Sequence, residues 1–359
     1  MSSAQTNLAF IVDEKPLSRT IQDRGIPTPG TEELLVRVEA AGLNPVDERL
    51  GTDEFSGLIP SWPDLPTVIG AEAAGVVVGL GSEVSGFQVG DRVAFGTTGQ
   101  KIDISSYQQY SLAHYRIVAK LPSGVSLEEG ASIPVGLFTS YHGMYAPAPD
   151  GAGLVSFTSP GGRGKYTGQS IVILGGAGAT GHYALQLARL SGFSTIITTA
   201  SLKNSDWLKS LGATHILDRT LPDAAVVDAI SALTPGGLSI VFDGVSTPET
   251  LSLGVAILKA SKKQSQGKKT LLQIVPIHVA EAQSEGIDVY RGWAASAWPQ
   301  YNALSREFYP RVEQLLLDGT IKPMKIEIVH GGFNALEEAF KTFDKVSGVK
   351  RVVLPQETT

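Results

Sequence analysis

Gly176, Gly178 and Gly181 stand at G-x-G-x-x-G spacing within "ILGGAGATGHYALQLARLSG" (Ile173–Gly192). A backbone without side chains can approach a pyrophosphate closely, and a helix N-terminus behind it offers unpaired N–H groups and a positive dipole end. The spacing alone is a weak signal, because this chain holds 40 glycines. Its setting strengthens it. The apolar run "IVIL" leads in, and a run with Ala184, Leu187, Ala188 and Ser191 on one face leads out. That is the strand–loop–helix order of a dinucleotide site. Ala177, Ala179 and Thr180 complete the loop; a plain strand-to-helix turn is the bland alternative.

An NAD site places Asp or Glu about 20 residues further on, against the ribose 2′-OH. Here that stretch reads "TTASLKNSDW", with Ala200 and Ser201 at the position and Lys203 and Asn204 behind it. A 2′-phosphate needs hydroxyl, amide and cationic partners, and a carboxylate would repel it. Asp206 falls in the first turn of the next helix, and Arg219, after the third strand, adds charge beside the same pocket. These residues predict NADPH rather than NADH, the competing reading being that Lys203 is a solvated loop lysine.

The elements that must position these groups follow from pattern. A chain of 359 residues, 42% hydrophobic and 18% charged, is long enough for two domains with sizeable cores. Its net charge is −6, and its basic residues are scattered except in "KASKKQSQGKK" (Lys259–Lys269), read as a solvated loop, so nucleic acid is not an expected partner. With no cysteine, disulfides, thiolate catalysis and Cys-ligated zinc are excluded. "MSSAQTNLAFIVDEK" has no basic, then long apolar, leader pattern, and no apolar run is long enough to span a bilayer. A cytoplasmic protein without a membrane partner is expected.

From Leu8 to Leu121 short β-branched runs are broken by Gly, Asp and Ser, as in an all-β unit. "SLEEGASIPVGLFTSYHGMY" reads as one helix, with Ser126 as N-cap and Glu128 and Glu129 in its first turn. The loop Ala146–Ser170 is dense in Gly, Pro and Ser and is expected to connect two regions rather than form core. Strands at Ile171–Leu174, Thr195–Thr199, His215–Leu217, Ile240–Asp243 and Leu271–Val275 then alternate with helices, which points to a parallel, doubly wound sheet. "FNALEEAFKTFDKVSGVKRVVL" reads as one helix and one strand.

"VRVEAAGLNPVDERLG" (Val36–Gly51), "VIGAEAAGVVVGLGSEVSGFQVGDRVAF" (Val68–Phe95) and "GASIPVGLFTSYHGM" (Gly130–Met144) resemble the medium-chain dehydrogenase/reductase superfamily. With the glycine loop and the closing segment, the resemblance covers nearly the whole chain. It implies an α/β protein: a GroES-like β-rich catalytic domain (residues 1–130), a Rossmann domain (131–305), and a C-terminal segment (306–359) returning to the first, with the active site in the cleft between the domains. The alcohol-dehydrogenase branch holds a catalytic zinc through a Cys and a His at positions that here carry Asn44 and Ala71. Neither is a zinc ligand, the structural four-Cys lobe is missing, and the six histidines are dispersed, so no metal is expected. What remains is similar to the zinc-independent quinone and enoyl reductases, most of all to fungal trans-acting enoyl reductases that work with polyketide synthases.

The resemblance implies hydride transfer from NADPH to an acceptor already activated by conjugation: a small apolar enone, an enoyl thioester or a quinone. It leaves a carrier-protein partner and the choice between monomer and homodimer open. Arg49 stands where the family commonly has Tyr or Lys, and as a guanidinium it would act by charge, not by giving up a proton. Thr139 matches a threonine near the nicotinamide ribose and carboxamide. Asn44 and Asp47 would shape the loop beneath the nicotinamide. Ile274, Val275 and Val352 match positions lining its pocket, although their apolar character suits plain core equally. "FSGLIPSWPDLP" (Phe55–Pro66) and "YRGWAASAWPQY" (Tyr290–Tyr301) carry Trp62, Trp293 and Trp298 in loop-like contexts and are candidates for an apolar substrate lining or, for Trp293 and Trp298, an interdomain or oligomer contact. The leading expectation is a reductase of activated C=C bonds. A quinone reductase and a non-catalytic, crystallin-like NADPH-binding protein are the alternatives.

Overall fold

A computed structural model describes residues 6–13, 18–49, 65–97, 102–261, 268–297 and 299–359. Leu50–Asp64, which holds most of the Phe55–Pro66 candidate lining, lies outside them, as do Trp298 and the centre of the Lys259–Lys269 stretch. The described residues pack as two units, one drawn from Met1–Val135 with Ala295–Thr359, the other from Gly136–Ala294. Among them no helix is long and apolar enough to cross a membrane.

The first unit is built on alternation. Glu33–Gly42 buries Leu34, Val36, Val38 and Ala40 on one face, the period-two pattern of a strand packed on one side. It pairs antiparallel with Glu72–Leu80 and with Tyr110–His114. The sheet continues through Arg92–Gly96 to Val118–Lys120. On its other side Lys350–Val353 joins Glu33–Gly42 antiparallel, with Val352 opposite Gly42, and Ile326–Val329 runs parallel beside it. A smaller sheet sets Leu8–Val12 between Arg19–Asp23 and Thr67–Val68. Phe10, Val36, Phe95, Tyr107 and Phe333 share one core.

The segment after Ser126 is two helices, not one. Ser126 Oγ accepts from the Glu129 N–H at 3.1 Å, and the Glu129 carboxylate accepts from the Ser126 N–H at 2.8 Å, capping Leu127–Gly130. The second helix is Pro134–Tyr145. Pro134 has no N–H to give and its ring crowds the preceding turn, so it opens a helix instead of continuing one. Two further elements lay inside or beside the Tyr290–Tyr301 stretch read as loop: the strand Asp288–Arg291 and the helix Pro299–Leu317, which carries Pro310 internally.

The second unit holds six parallel strands in the order His215–Asp218, Thr195–Ala200, Ser170–Leu174, Ile240–Asp243, Thr270–Gln273, Asp288–Arg291. The central strands Ser170–Leu174 and Ile240–Asp243 carry the apolar runs "IVIL" and "IVF", as strands covered on both faces require. The helices Ala179–Ser191, Ser205–Leu211, Asp223–Leu233 and Pro248–Ala260 fall between them. The chain runs outward one way from Ser170–Leu174, then returns to run outward the other way from Ile240–Asp243. Ligands of such sheets bind outside the carboxyl ends of strands at that reversal. The loop Ala146–Ser170 is part of this packing rather than a mere connector: Phe157 is buried 6.2 Å from the Tyr145 ring, and the Tyr141 and Ser156 hydroxyls lie 3.0 Å apart.

Candidate active site

The three glycines of the motif differ in what the fold asks of them. A Cβ on Gly176 would collide with Thr198 Oγ1, a hydroxyl committed to the Ile173 carbonyl at 2.6 Å. One on Gly181 would strike the Gly175 carbonyl and come within 2.7 Å of Gly176 Cα. Gly178 meets nothing closer than the Gly175 oxygen at 3.4 Å, is exposed, and caps the helix Ala179–Ser191 without a side-chain bond. Gly181→Ala should therefore destabilise by about 1–3 kcal/mol through overpacking, while Gly178→Ala leaves the thermal midpoint near the wild-type value; calorimetry of the two variants checks this.

Around this loop the second unit gathers other expected residues. Ala177 and Ala179 are half-buried and Thr180 is buried. The Ser140 hydroxyl, one residue after buried Thr139, lies 2.8 Å from both the Thr180 and the Gly136 carbonyls. Thr139's own carbonyl backs onto Gly292, where a Cβ would lie 2.5 Å from it. Ile274 and Val275 sit just past the end of Thr270–Gln273 instead of within the strand, because the Ile274 N–H turns away from the ladder to Ser246 Oγ at 2.8 Å.

Ser201 precedes the short 3₁₀ turn Leu202–Asn204, and Asn204 precedes the helix Ser205–Leu211. The Arg219 N–H donates to the Ala200 carbonyl at 3.1 Å, which sets Arg219 and Ser201 at two adjacent strand ends. Lys203 and Arg219 are exposed. Asp218 is turned onto Thr220, accepting its N–H at 3.0 Å and its hydroxyl at 2.8 Å, and those bonds hold its carboxyl below the ordinary range. Exposed Leu202 and Leu221 flank the cations.

The residues at this edge fit a dinucleotide. Gly178 is exposed with room around its Cα, so the backbone there can be approached closely, and the first N–H groups of the helix behind it lack intrahelical partners. Among the described residues Gln273 Oε1 is buried with no hydrogen-bond partner, an acceptor that a bound donor would satisfy.

In the first unit Asn44 and Asp47 lie in a buried polar cluster with three residues that the sequence did not single out: Glu72, Tyr107 and Lys350. Lys350 Nζ lies 2.5 Å from Glu72 Oε1 and donates to Asn44 Oδ1 at 2.6 Å. Asn44 Nδ2 donates to Glu72 Oε1 at 3.1 Å and to Asp47 Oδ2 at 3.3 Å. The Asp47 oxygen also accepts from the Asn44 N–H at 2.8 Å and the Tyr107 hydroxyl at 2.9 Å, and Glu72 Oε2 accepts from the Val135 N–H at 2.7 Å. Burial pushes the Asp47 carboxyl up to about 7, against the pull of Tyr107, the Asn44 N–H and Lys350. Burial, with Asp47 beside it, drives the Tyr107 hydroxyl well above its ordinary value. Among the described residues Asp47 Oδ1 has no hydrogen-bond partner. The only hint in sequence was a charge opening each of two apolar runs, "EAAGVVVG" and "KRVVL".

Arg49 ends the short helix Pro45–Arg49 and is exposed; Arg19 Nη2 donates to the neighbouring Glu48 carbonyl at 2.7 Å. Val352 is fully buried in the strand that carries Lys350. Among the described residues no group of three or more His, Cys, Asp or Glu is placed to hold a metal ion.

Residues 30–142 match the family model of the alcohol dehydrogenase GroES-like domain, and 179–263 match that of the zinc-binding dehydrogenases. The chain is 28% identical over 355 residues to the dehydrogenase azaJ of Aspergillus niger, covering 97% of this chain and 99% of that protein. It is 27% identical over 346 residues to the enoyl reductase component lovC of the lovastatin nonaketide synthase of Aspergillus terreus, covering 90% and 89%. The quinone oxidoreductase of Coxiella burnetii shares the fold with a TM-score of 0.70 at 22% identity, covering 98% of this chain and 99% of that one. With two family models in tandem and full-length relatives named as dehydrogenase and enoyl reductase, the chain belongs to the medium-chain dehydrogenase/reductase superfamily and is an oxidoreductase.

Proposed function

We propose that this oxidoreductase uses NADPH to reduce a carbon–carbon double bond conjugated to a carbonyl, without a metal, on a small apolar enone or an enoyl thioester. One observation carries the reading. Asn44, at the position of a zinc ligand in the metal-using branch, is bonded to Lys350, Glu72 and Asp47, and an amide so engaged offers no site for a Lewis acid. The acceptor must therefore arrive polarised by its own conjugation. NADPH, when bound, supplies the hydride. The chain's part is to hold the acceptor in line and to stabilise charge. As the β-carbon gains hydride, the electron pair moves to the carbonyl oxygen. Arg49 is the cation assigned to that oxygen, and water protonates the α-carbon. Ser201, Lys203 and Arg219 would hold the 2′-phosphate, Thr139 with Ile274 and Val275 would face the nicotinamide half, and Asn44, Asp47 and Val352 would support the loop beneath it.

The lovastatin enoyl reductase component lends this reading its substrate class. Coenzyme oxidation against enoyl thioesters, enones and quinones tests it, with NADPH and NADH compared in wild type and Arg219→Ala. Enones or enoyl thioesters should turn over with NADPH, and Arg219→Ala should raise the NADPH KM about tenfold through one lost charge-assisted bond while leaving NADH unaffected. Turnover of quinones alone would move the protein to the quinone reductases. Coenzyme binding without any turnover would make it a non-catalytic NADPH-binding protein.

A further inference from the structure

The strand "IVFD" (Ile240–Asp243) ends its apolar run in a carboxylate that is fully buried. Asp residues are seldom placed there without partners that need them. Asp243 Oδ1 accepts from the N–H groups of Val245 at 2.9 Å and Ser246 at 3.0 Å, and Oδ2 accepts from the Thr250 hydroxyl at 2.6 Å. These bonds curl the chain tightly after the strand. Within that curl Ser246 has φ 57°, the one positive φ outside glycine among the described residues. A non-glycine residue held in the left-handed region is strained, and such strain gathers where a function needs the geometry.

Ser246 uses that geometry as a bridge. Its hydroxyl lies 3.0 Å from the Asp243 carbonyl, to which it donates, and it accepts the Ile274 N–H at 2.8 Å. The other end of the turn meets the glycine loop. The Gly244 N–H donates to the Leu174 carbonyl at 3.0 Å, and exposed Val245 sits where a Cβ on Gly175 would collide with it. One turn thus ties the phosphate loop to the segment Ile274–Val275 across the reversal point of the sheet.

We infer that Asp243 and Ser246 are positioning residues for coenzyme binding: the strained turn between them fixes the Ile274–Val275 main chain against the glycine loop. This rests on the reading that both segments face the coenzyme. It assigns Asp243 no contact with the coenzyme, because its oxygens are occupied by the turn.

Titration calorimetry on the full chain with NADPH and with NADH, paired with thermal melting, tests the inference. Ser246→Ala removes the bridge and keeps the strain, whereas Ser246→Gly removes both. Each should raise the Kd about tenfold, the effect of one lost main-chain bond, equally for the two coenzymes because the turn serves the half they share. Ser246→Gly relieves the strain as it loses the bridge and should melt above Ser246→Ala, and titrations run well below both melting temperatures separate lost affinity from lost folding. Asp243→Asn keeps an acceptor for both N–H groups and should bind within about twofold of wild type. Unchanged affinity in both Ser246 variants, or a tenfold loss confined to NADPH, overturns the inference. Wild-type protein that binds NADH alone would refute the NADPH assignment and leave this inference to be judged on NADH; wild-type protein that binds neither would end both.

Discussion

Lys350→Met should lower the stability of the first unit by about 3–5 kcal/mol, the range for breaking a buried pair by deleting one member. Lys350 and Glu72 have side-chain exposures of 5% and 0%, so water cannot replace the lost ammonium. The variant leaves the Glu72 carboxylate with the Asn44 amide and Val135 N–H as partners, and takes the donor from Asn44 Oδ1. Glu72→Gln in the same background should restore part of the loss, because it removes the stranded charge; the double variant then falls well short of the sum of the singles. Calorimetric unfolding of the four proteins measures this. A loss below about 1 kcal/mol for Lys350→Met, the size of an exposed pair, would show that the cluster does not hold the unit together.

Stability should also fall as pH rises from about 4 to 7, and Asp47 should be a principal cause. Burial pushes its carboxyl up to about 7 in the folded protein, from an ordinary value of 3.8 in the unfolded chain. Between those values the folded state keeps a proton that the unfolded chain has released. Folding then binds protons, and stability drops by up to about 1.4 kcal/mol per pH unit from this group. The contribution is fully present below the unfolded value and gone above the folded one. Other carboxyls shift as well, Asp243 upward through burial and Asp23 downward through the N–H groups of Gly25 and Asn7. The informative quantity is therefore the difference between wild type and Asp47→Asn. Melting temperatures across this range should show a steeper decline for wild type, with the two curves parallel above about pH 8. Parallel curves throughout would place Asp47 in an ionised state at all these pH values.

The second unit was legible because short, mostly apolar strands alternate with helices, and Gly192 and Gly212 stop two of those helices. "IVFD" and "SDWLKSL" mark the strand Ile240–Asp243 and the helix Ser205–Leu211 at the residues where they occur. Legibility failed where proline intervened. Pro134 split an apparently continuous helix, and Pro310 together with "AWPQY" hid the helix Pro299–Leu317. The buried cluster was half-read. Asn44 and Asp47 were marked out by the family resemblance in one short stretch, "NPVD", whereas Glu72, Tyr107 and Lys350 reach them from separate strands and loops. Pairing across such separations is fixed by sheet register, which no local pattern encodes. Ser246 escaped notice for a different reason: its importance lies in a backbone angle, and nothing in "DGVST" announces a serine at φ 57°.

The cluster also sets an order of events at birth. Asn44 and Lys350 are 306 residues apart, so at about 5–20 residues per second the ribosome takes about 15–60 s to pass from one to the other. Throughout that interval the carboxyl groups of Asp47 and Glu72 exist without their ammonium partner. The second unit, Gly136–Ala294, is one uninterrupted stretch and is fully synthesised before Lys350 is made. The part of the molecule translated first is therefore the part that finishes folding last, sealed by a strand that arrives after everything it must join.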